Sequence, residues 1–399
     1  MIFLDFEVFE KDWLAVFADL KKKEETVIVN DRKKLSDFYE KNKSEIFIGF
    51  NIRHYDQWIF KALLIGLNPK EVNDKIIIEK MSPWNISRSL YKVPMATTDR
   101  GLKTFEGFMG HNIKETSVPF DIDRKLTEEE IEEVIEYCRY DVKETIEIFI
   151  ERQNDFLSHV NLVEMAGHGH LNARLISMTH GQLSAEMLKA VKKERDDEFD
   201  IILPDTLKVR KYKEVVEWYL ASDNRRYRVK HKDKKPTLNS LDILIAGVPH
   251  RFAWGGVHGA IESYHGSGNF VLCDITSMYP SLIIEYGLLS RNCPQSSYDI
   301  YEKIYHERLK LKAEGKKKEQ EPLKLFLNST YGIMKDKYNK MYDPLMANTI
   351  CVYGQLFILD FIEKIESFAE IIQSNTDGVL VKLKRKGEFE RLKKEAEKW

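Results

Sequence analysis

The stretch IIQSNTDGVLVKL, residues 371–383, carries an apolar, strand-forming run on each side of a short turn that contains Asp-Gly. Asp-Gly is a common hairpin signal, so a hairpin is predicted here with Asp377 at its tip. A carboxylate at a tip is either a turn former or a ligand for a metal ion, and both readings need the same strands and the same turn. What decides between them is what the rest of the chain can bring to that tip.

At 399 residues the chain can bury sizeable cores, and its length suggests roughly two or three domains. A composition of 43% hydrophobic and 32% charged residues is that of a soluble globular protein, and no stretch approaches the roughly 18 uninterrupted apolar residues of a membrane span. The start, MIFLDFEVFEKDW, is interrupted by Asp5 and Glu7 and has no basic leader, so a mature, cytoplasmic protein with no membrane anchor is expected. Cys138, Cys273, Cys293 and Cys351 form no C-x-x-C pair; this argues against a zinc cluster or a disulfide framework and reads as reduced core filler. A net charge of -2 does not announce a nucleic-acid partner, although RRYRVKHKDKK, residues 225–235, holds seven Lys or Arg against one Asp. A second basic run, KAEGKKKEQ, covers 312–320. Runs of this kind are more often solvated loops than binding surfaces.

Residues 1–155 alternate β-rich and helical stretches, which predicts an α/β domain. Residues 156–245 read as a mostly helical, polar connector. A second mixed segment opens near GVPHRFAWGGVHGAIES, where Gly255, Gly256 and Gly259 mark tight turns or close backbone approach.

In MIFLDFEVF, strand alternation puts Ile2, Leu4, Phe6 and Val8 on one face and Phe3, Asp5 and Glu7 on the other. The pair of acids alone fits a half-exposed strand with a polar face. IFIGFNIRHYDQWIFKALLIGLNP reads as a buried strand, a turn at Asn51 and a helix from near Asp56 to Gly66. Asp56 by itself is an ordinary helix N-cap. LTEEEIEEVIEYCRYDVKETIEIF opens with a Thr127–Glu130 capping box and places Tyr137 and Asp141 one turn apart on one face.

The order of these pieces (D-x-E on the first strand, N-x-x-x-Y-D after a buried strand, Y-x-x-x-D on a late helix) resembles the DEDDy 3'-5' exonuclease family over about residues 1–150. The resemblance implies that Asp5, Glu7, Asp56 and Asp141 hold two divalent metals and that Tyr137 positions the attacking water. Phosphodiester hydrolysis suits such a cluster, because two cations about 3.5–4 Å apart stabilise both the attacking and the leaving oxygen. Hard oxygen ligands favour Mg2+ or Mn2+ over Zn2+.

NFVLCDITSMYPSLIIEYG reads as a buried strand ending at Asp274, then a turn into a helix with Pro280 in its first turn. KLFLNSTYG puts Lys324, Asn328 and Tyr331 on one helix face, with Gly332 beside it. Upstream, Arg308 and Lys312 are spaced i, i+4 on the first arm of a predicted helical hairpin whose second arm begins near Pro322. Either these cations are solvated, or Arg308, Lys312 and Lys324 converge on one anion.

In order, D-x-x-S-x-Y-P-S, K-x-x-x-N-S-x-Y-G and the T-D-G hairpin resemble the three polymerase motifs of the family B DNA polymerases. The expected fold is α/β and α+β multidomain: an RNase H-like exonuclease domain (1–155), the connector (156–245), then a polymerase palm (246–295 and 336–399) with helical-hairpin fingers (296–335). The resemblance implies that Asp274 and Asp377 hold a second pair of Mg2+ or Mn2+ ions. It further implies that Ile275, Thr276, Ser277 and Met278 cradle a dNTP triphosphate gripped by Arg308, Lys312 and Lys324. Tyr279 is expected to exclude a ribose 2'-hydroxyl, while Asn328 and Tyr331 line the nascent base pair. WGG, with Gly255 and Gly256, resembles the family's Y-x-G-G element that binds template DNA, but carries Trp254 before the glycines.

The family writes its hairpin D-T-D; this chain has Asn375, Thr376 and Asp377. Asp377 is therefore expected to be a ligand, with Asn375 and Thr376 supporting it. Asp274 and Lys324 lie 50 residues apart and Tyr331 and Asp377 46, which leaves little room for the insertions of protein-primed members, so a nucleic-acid primer on template DNA is expected. With the exonuclease motif starting at residue 1 and a short charged helix, GEFERLKKEAEKW, closing at Trp399, the expectation is a polymerase without a template-sensing domain before the exonuclease and without a thumb after the hairpin. That suits a compact viral polymerase whose thumb is cut off or supplied by another polypeptide, or which works with replisome proteins. The competing expectation is a 3'-5' exonuclease whose polymerase remnant binds DNA without synthesis.

Overall fold

The computed structural model describes residues 1–81, 92–94, 101–167, 169, 173–225, 227–228, 237–385 and 387–399. They form two compact units, Met1–Thr179 and His180–Trp399. Arg226 and residues 229–235 of the basic run lie outside the described residues.

The first unit is built on a five-stranded sheet in which Ile2–Val8 is the central strand. It pairs antiparallel with Trp13–Asp19 and parallel with Phe47–Gly49, with Ile2 opposite Asp19 and Phe47. Glu24–Val29 and Lys92–Pro94 form the two edges. One face carries an aromatic core in which Phe6 meets Phe17 and Phe60 at centroid distances of 5.8 and 5.4 Å. The helix Asp56–Leu64 supplies Phe60 and is buried along nearly its whole length. The opposite face is covered by the helix Glu128–Glu151, whose Phe149 meets Phe3 edge-on at 5.2 Å. That helix starts where the sequence predicts, with the Thr127–Glu130 capping box formed in both directions. The half-exposed reading of the first strand therefore fails: Glu7 is buried, because a helix lies over the face that alternation alone leaves open.

The second unit centres on a six-stranded antiparallel sheet, in the order Phe270–Asp274, Gly378–Leu383, Ala369–Asn375, His258–Ala260, Val248–Ala253, Ser240–Ile245. The predicted hairpin forms, with Asn375 opposite Gly378 and a register irregularity between Ile371 and Gln373. Its central turn residues, Thr376 and Asp377, are not left-handed, and neither is Gly378. Gly378 instead opens the second strand, where a Cβ would lie 3.2 Å from the Cys273 carbonyl oxygen. Here glycine serves close strand approach and not turn conformation.

Two expectations change. The strand Phe270–Asp274 is not buried: it is a sheet edge, and Phe270, Leu272 and Asp274, which share one face, are all exposed, Leu272 at 67%, so no layer among the described residues covers that face. The second arm of the helical hairpin begins at Lys317 and not near Pro322, which lies inside Lys317–Ile333. Being in the second turn, the proline forfeits one backbone bond of that helix and the helix tolerates it. The first arm is Ser296–Ala313, and Gly315 takes a left-handed φ of 72° between them. The helix Pro344–Ile365 is long and apolar enough to cross a membrane, but 89% of its most apolar window is buried inside the protein, as befits a core helix.

Candidate active sites

In the first unit the four acids picked out from the sequence converge. Asp5 and Glu7 project from the central strand under the helix that carries Asp141, and Asp56 opens its own helix. Asp56 is not a cap: it is the first helical residue, the N-cap is Tyr55, and no side chain caps that end. Burial pushes the Asp5 carboxyl well above the usual range, and Asp56, Glu7 and Asp141 raise it further. Glu7 is raised by burial and then by Asp141 and Asp56. Burial lifts Asp56 to about 7. Asp141 is raised by burial, although Lys103 and Tyr137 pull it back. Keeping all four ionised therefore costs free energy that a cation among them would lower.

Two observations fit a hard divalent cation. Asp56 Oδ1 is buried with no hydrogen-bond partner, and the donors are carboxylate oxygens, the set Mg2+ and Mn2+ take. Cys138, read from the sequence as core filler, contributes a third group within 4.8 Å of Asp5 and Glu7. Burial raises its thiol well above the usual range, so it stays protonated, with its Sγ 3.6 Å from the Asp5 carbonyl oxygen. Tyr137 lies against Asp141, and burial together with Asp141 and Glu7 keeps its phenol protonated.

Lys103 is the residue the sequence reading missed. Its ammonium donates to Asp141 Oδ1 at 2.6 Å, lies 3.2 Å from Glu106 Oε1, and sits 4.8 Å from the Tyr137 ring centroid. Burial opposes its charge, but Asp141 and Glu106 more than offset that and its pKa is raised. The helix that carries it, Leu102–Met109, is bounded by Gly101 and by Gly110, which caps it in the left-handed region at φ 77°. Those glycines signal a short helix; nothing local signals its place over Asp141.

In the second unit, sheet register brings Asp274, the last residue of its strand, beside the hairpin turn that holds Asp377. Asp274 ends Phe270–Asp274 opposite Gly378, and the Ile275 N–H donates to the Asp377 carbonyl at 2.8 Å. The Asp274 carboxylate borders the space a Gly378 Cβ would fill, at 3.6 Å. Both aspartates are exposed. After Asp274 the chain turns through Ile275 and Thr276 to Ser277, a non-glycine residue in the left-handed region at φ 55°, which N-caps the helix Met278–Glu285. Such strain in a strand-to-helix turn marks a position fixed by its surroundings. Here the surrounding group is Arg308, a buried side chain on Ser296–Ala313 whose guanidinium donates to Ser277 Oγ. The N-terminus of a helix beside a guanidinium is suited to bind an anion.

The other sequence candidates fall as follows. Tyr279 and Tyr331 meet at 4.5 Å between centroids with their rings tilted by 49°; Asp377 contributes to raising the Tyr279 phenol, after burial and Cys351. Asn328 is exposed on the same helix as Tyr331. Lys324 pairs with Glu321 at 3.1 Å, and Lys312 is exposed, so of the three expected cations only Arg308 reaches the Ser277 turn. Asn375 Oδ1 accepts from the Thr376 N–H at 2.9 Å. Gly256 backs onto the hairpin tip: a Cβ there would lie 2.7 Å from Thr376 Oγ1. Gly255 has open space instead, and its carbonyl accepts from Gln355 Nε2 at 2.9 Å. Trp254 is buried against Phe199, Trp218 and Tyr219, its Nε1 donating to the Asn224 carbonyl at 3.1 Å. Packing therefore accounts for the tryptophan before the glycines.

The sequence matches no protein-family model and none of the curated proteins. Among solved structures, the chain is similar to the family B DNA polymerase from the hyperthermophilic archaeon Pyrobaculum calidifontis, with a TM-score of 0.52 at 14% identity, over 100% of this chain and 55% of that one. The chain thus has a fold like that of a family B DNA polymerase and spans little more than half the length of this one.

Proposed function

We propose that the protein is a template-directed DNA polymerase with a 3'-5' exonuclease of the DEDDy type. The observation that carries the reading is the meeting of Asp274, at the end of its strand, with Asp377, about a hundred residues later in the turn of the neighbouring hairpin, beside an arginine-braced turn. In the synthetic site Asp274 and Asp377 would hold divalent cations, which supply Lewis acidity at the reacting phosphate. The Ser277 turn and the N-terminus of Met278–Glu285 bind the triphosphate, with Arg308 holding the turn and adding charge. Tyr279 packs under the sugar and leaves no room for a 2'-hydroxyl, which selects dNTPs. In the hydrolytic site Asp5, Glu7, Asp56 and Asp141 would hold Mg2+ or Mn2+. Tyr137 orients the water with its phenolic proton, and Lys103 balances charge at Asp141. Primer-template DNA is the shared substrate, and the domain limits are those given by the motifs.

One observation favours the narrower reading of an exonuclease with a DNA-binding remnant: Asn375 replaces an acid, and its oxygen is engaged by the Thr376 N–H. Incubating the protein with a labelled primer-template, Mg2+ and dNTPs separates the two. Template-coded extension is expected; digestion with no extension at any dNTP concentration would leave only the nuclease.

A further inference from the structure

The helix Pro344–Ile365 reaches the tyrosine pair at two points one turn apart. Cys351 is 1% exposed, and its Sγ lies 2.6 Å from the Tyr331 hydroxyl. Lys335 Nζ approaches the same sulfur at 3.7 Å while donating to the Trp254 carbonyl at 3.0 Å. Three residues on, Gly354 leaves a notch. A Cβ at that position would stand 2.7 Å from Met278 Cε and 3.3 Å from Tyr279 Cε1.

The Tyr279 ring is therefore backed by the Gly354 notch and by the Tyr331 ring, and Tyr331 is in turn tied at its tip to Cys351. A buried thiol that merely satisfies a tyrosine hydroxyl would look the same at Cys351. It would not require the missing side chain at Gly354, nor set one contact against the Tyr279 ring and the other against the Tyr331 ring that lies on it.

We propose that Cys351 and Gly354 are positioning residues that fix the height of the Tyr279 ring, and through it the strictness with which a ribose 2'-hydroxyl is refused. The inference rests on the polymerase reading and adds to it two residues that touch neither nucleotide nor metal ligand. A side chain at 354 pushes the ring off the helix; loss of the thiol frees Tyr331, and Tyr279 with it.

The test is single-nucleotide extension by the full chain, comparing kcat/KM for a dNTP with that for the matching ribonucleotide. Cys351→Ala should lower this ratio about three- to tenfold, the worth of one hydrogen bond, with the change chiefly in KM. Cys351→Ser, which keeps a hydroxyl partner for Tyr331, should restore it. Gly354→Ala should raise KM for the dNTP about three- to fivefold, the strain being spread over a yielding methionine, and leave exonuclease digestion unchanged. If unaltered protein discriminates while Cys351→Ala and Gly354→Ala match it in ratio and KM, or if Cys351→Ser fails to rescue, this inference falls alone. If unaltered protein extends no primer, the polymerase reading falls and the inference goes with it.

Discussion

The two acid clusters solve opposite electrostatic problems. In the first unit four carboxyl groups are held under a helix, all with raised pKa values, and Lys103 supplies a counter-charge at Asp141. In the second, Asp274 and Asp377 stand exposed at a sheet edge and a hairpin tip. A buried cluster stores repulsion that a cation relieves, so its geometry is fixed before substrate arrives. An exposed pair is solvated when empty, and on the proposed reading the price of assembling it falls on the incoming nucleotide and metal. The same residue type is thus a strained preformed site in one place and an inexpensive open one in the other.

Cross-inactivation tests this contrast most strongly. Asp377→Ala should abolish primer extension, a loss of about a thousandfold or more, since a lost metal ligand removes charge stabilisation worth several kcal/mol. It should leave exonuclease digestion intact, because no residue of the first unit is changed. Asp5→Ala should give the mirror result. Extension surviving in Asp377→Ala would mean that the paired strands are scaffold and not site.

The next effect is on stability. Asp56 is raised from an ordinary carboxylate value to about 7, so the folded state holds a proton that the unfolded chain has released. The stability tied to that proton is complete below about pH 4 and is lost as pH rises through about 7. At about 1.4 kcal/mol per unit, the loss by pH 8 is on the order of 4 kcal/mol. In chelator, chemical denaturation should show Asp56→Asn more stable than the unaltered protein at pH 8 and level with it near pH 4. Mg2+ should close the gap only for the unaltered protein. Equal slopes of stability against pH for the two proteins would show that Asp56 is not strained.

Tyr279→Ala comes third. Opening the space under the sugar should relax discrimination against ribonucleotides about ten- to a hundredfold, the range of roughly 1.4–2.8 kcal/mol for a steric exclusion removed. Unchanged discrimination in single-nucleotide extension would take the sugar-selecting role away from Tyr279.

Much of this was legible in the chain because it is local. Period-two alternation gives the first strand, the Thr127–Glu130 pair gives the start of its covering helix, and Tyr137 and Asp141 share a face by helical spacing alone. Asp56 shows the limit: a lone acid at a helix start reads as a cap, and only tertiary structure reveals a buried oxygen with no partner. Lys103 was hidden for the same reason, since its partner Asp141 is 38 residues away. The strand Phe270–Asp274 misled because an apolar run says that a strand forms and not whether both of its faces are covered. Cys351 and Gly354 carry no motif at all; their meaning comes from the two tyrosines that lie against them.

The smallest effect probes how closely the open site depends on its neighbours. A Cβ at Gly256 would lie 2.7 Å from Thr376 Oγ1, a side-chain atom that can move aside. Gly256→Ala should therefore displace the hairpin tip by a fraction of an ångström and slow extension only about three- to tenfold, an overpacking strain near 1 kcal/mol. Exonuclease digestion should not change. If the collision is the cause, adding Thr376→Ala should restore extension, because the atom in the way is gone; a double variant as slow as the single one would place the glycine's importance elsewhere. A large loss from Gly256→Ala alone would show that the exposed pair is held as rigidly as the buried four.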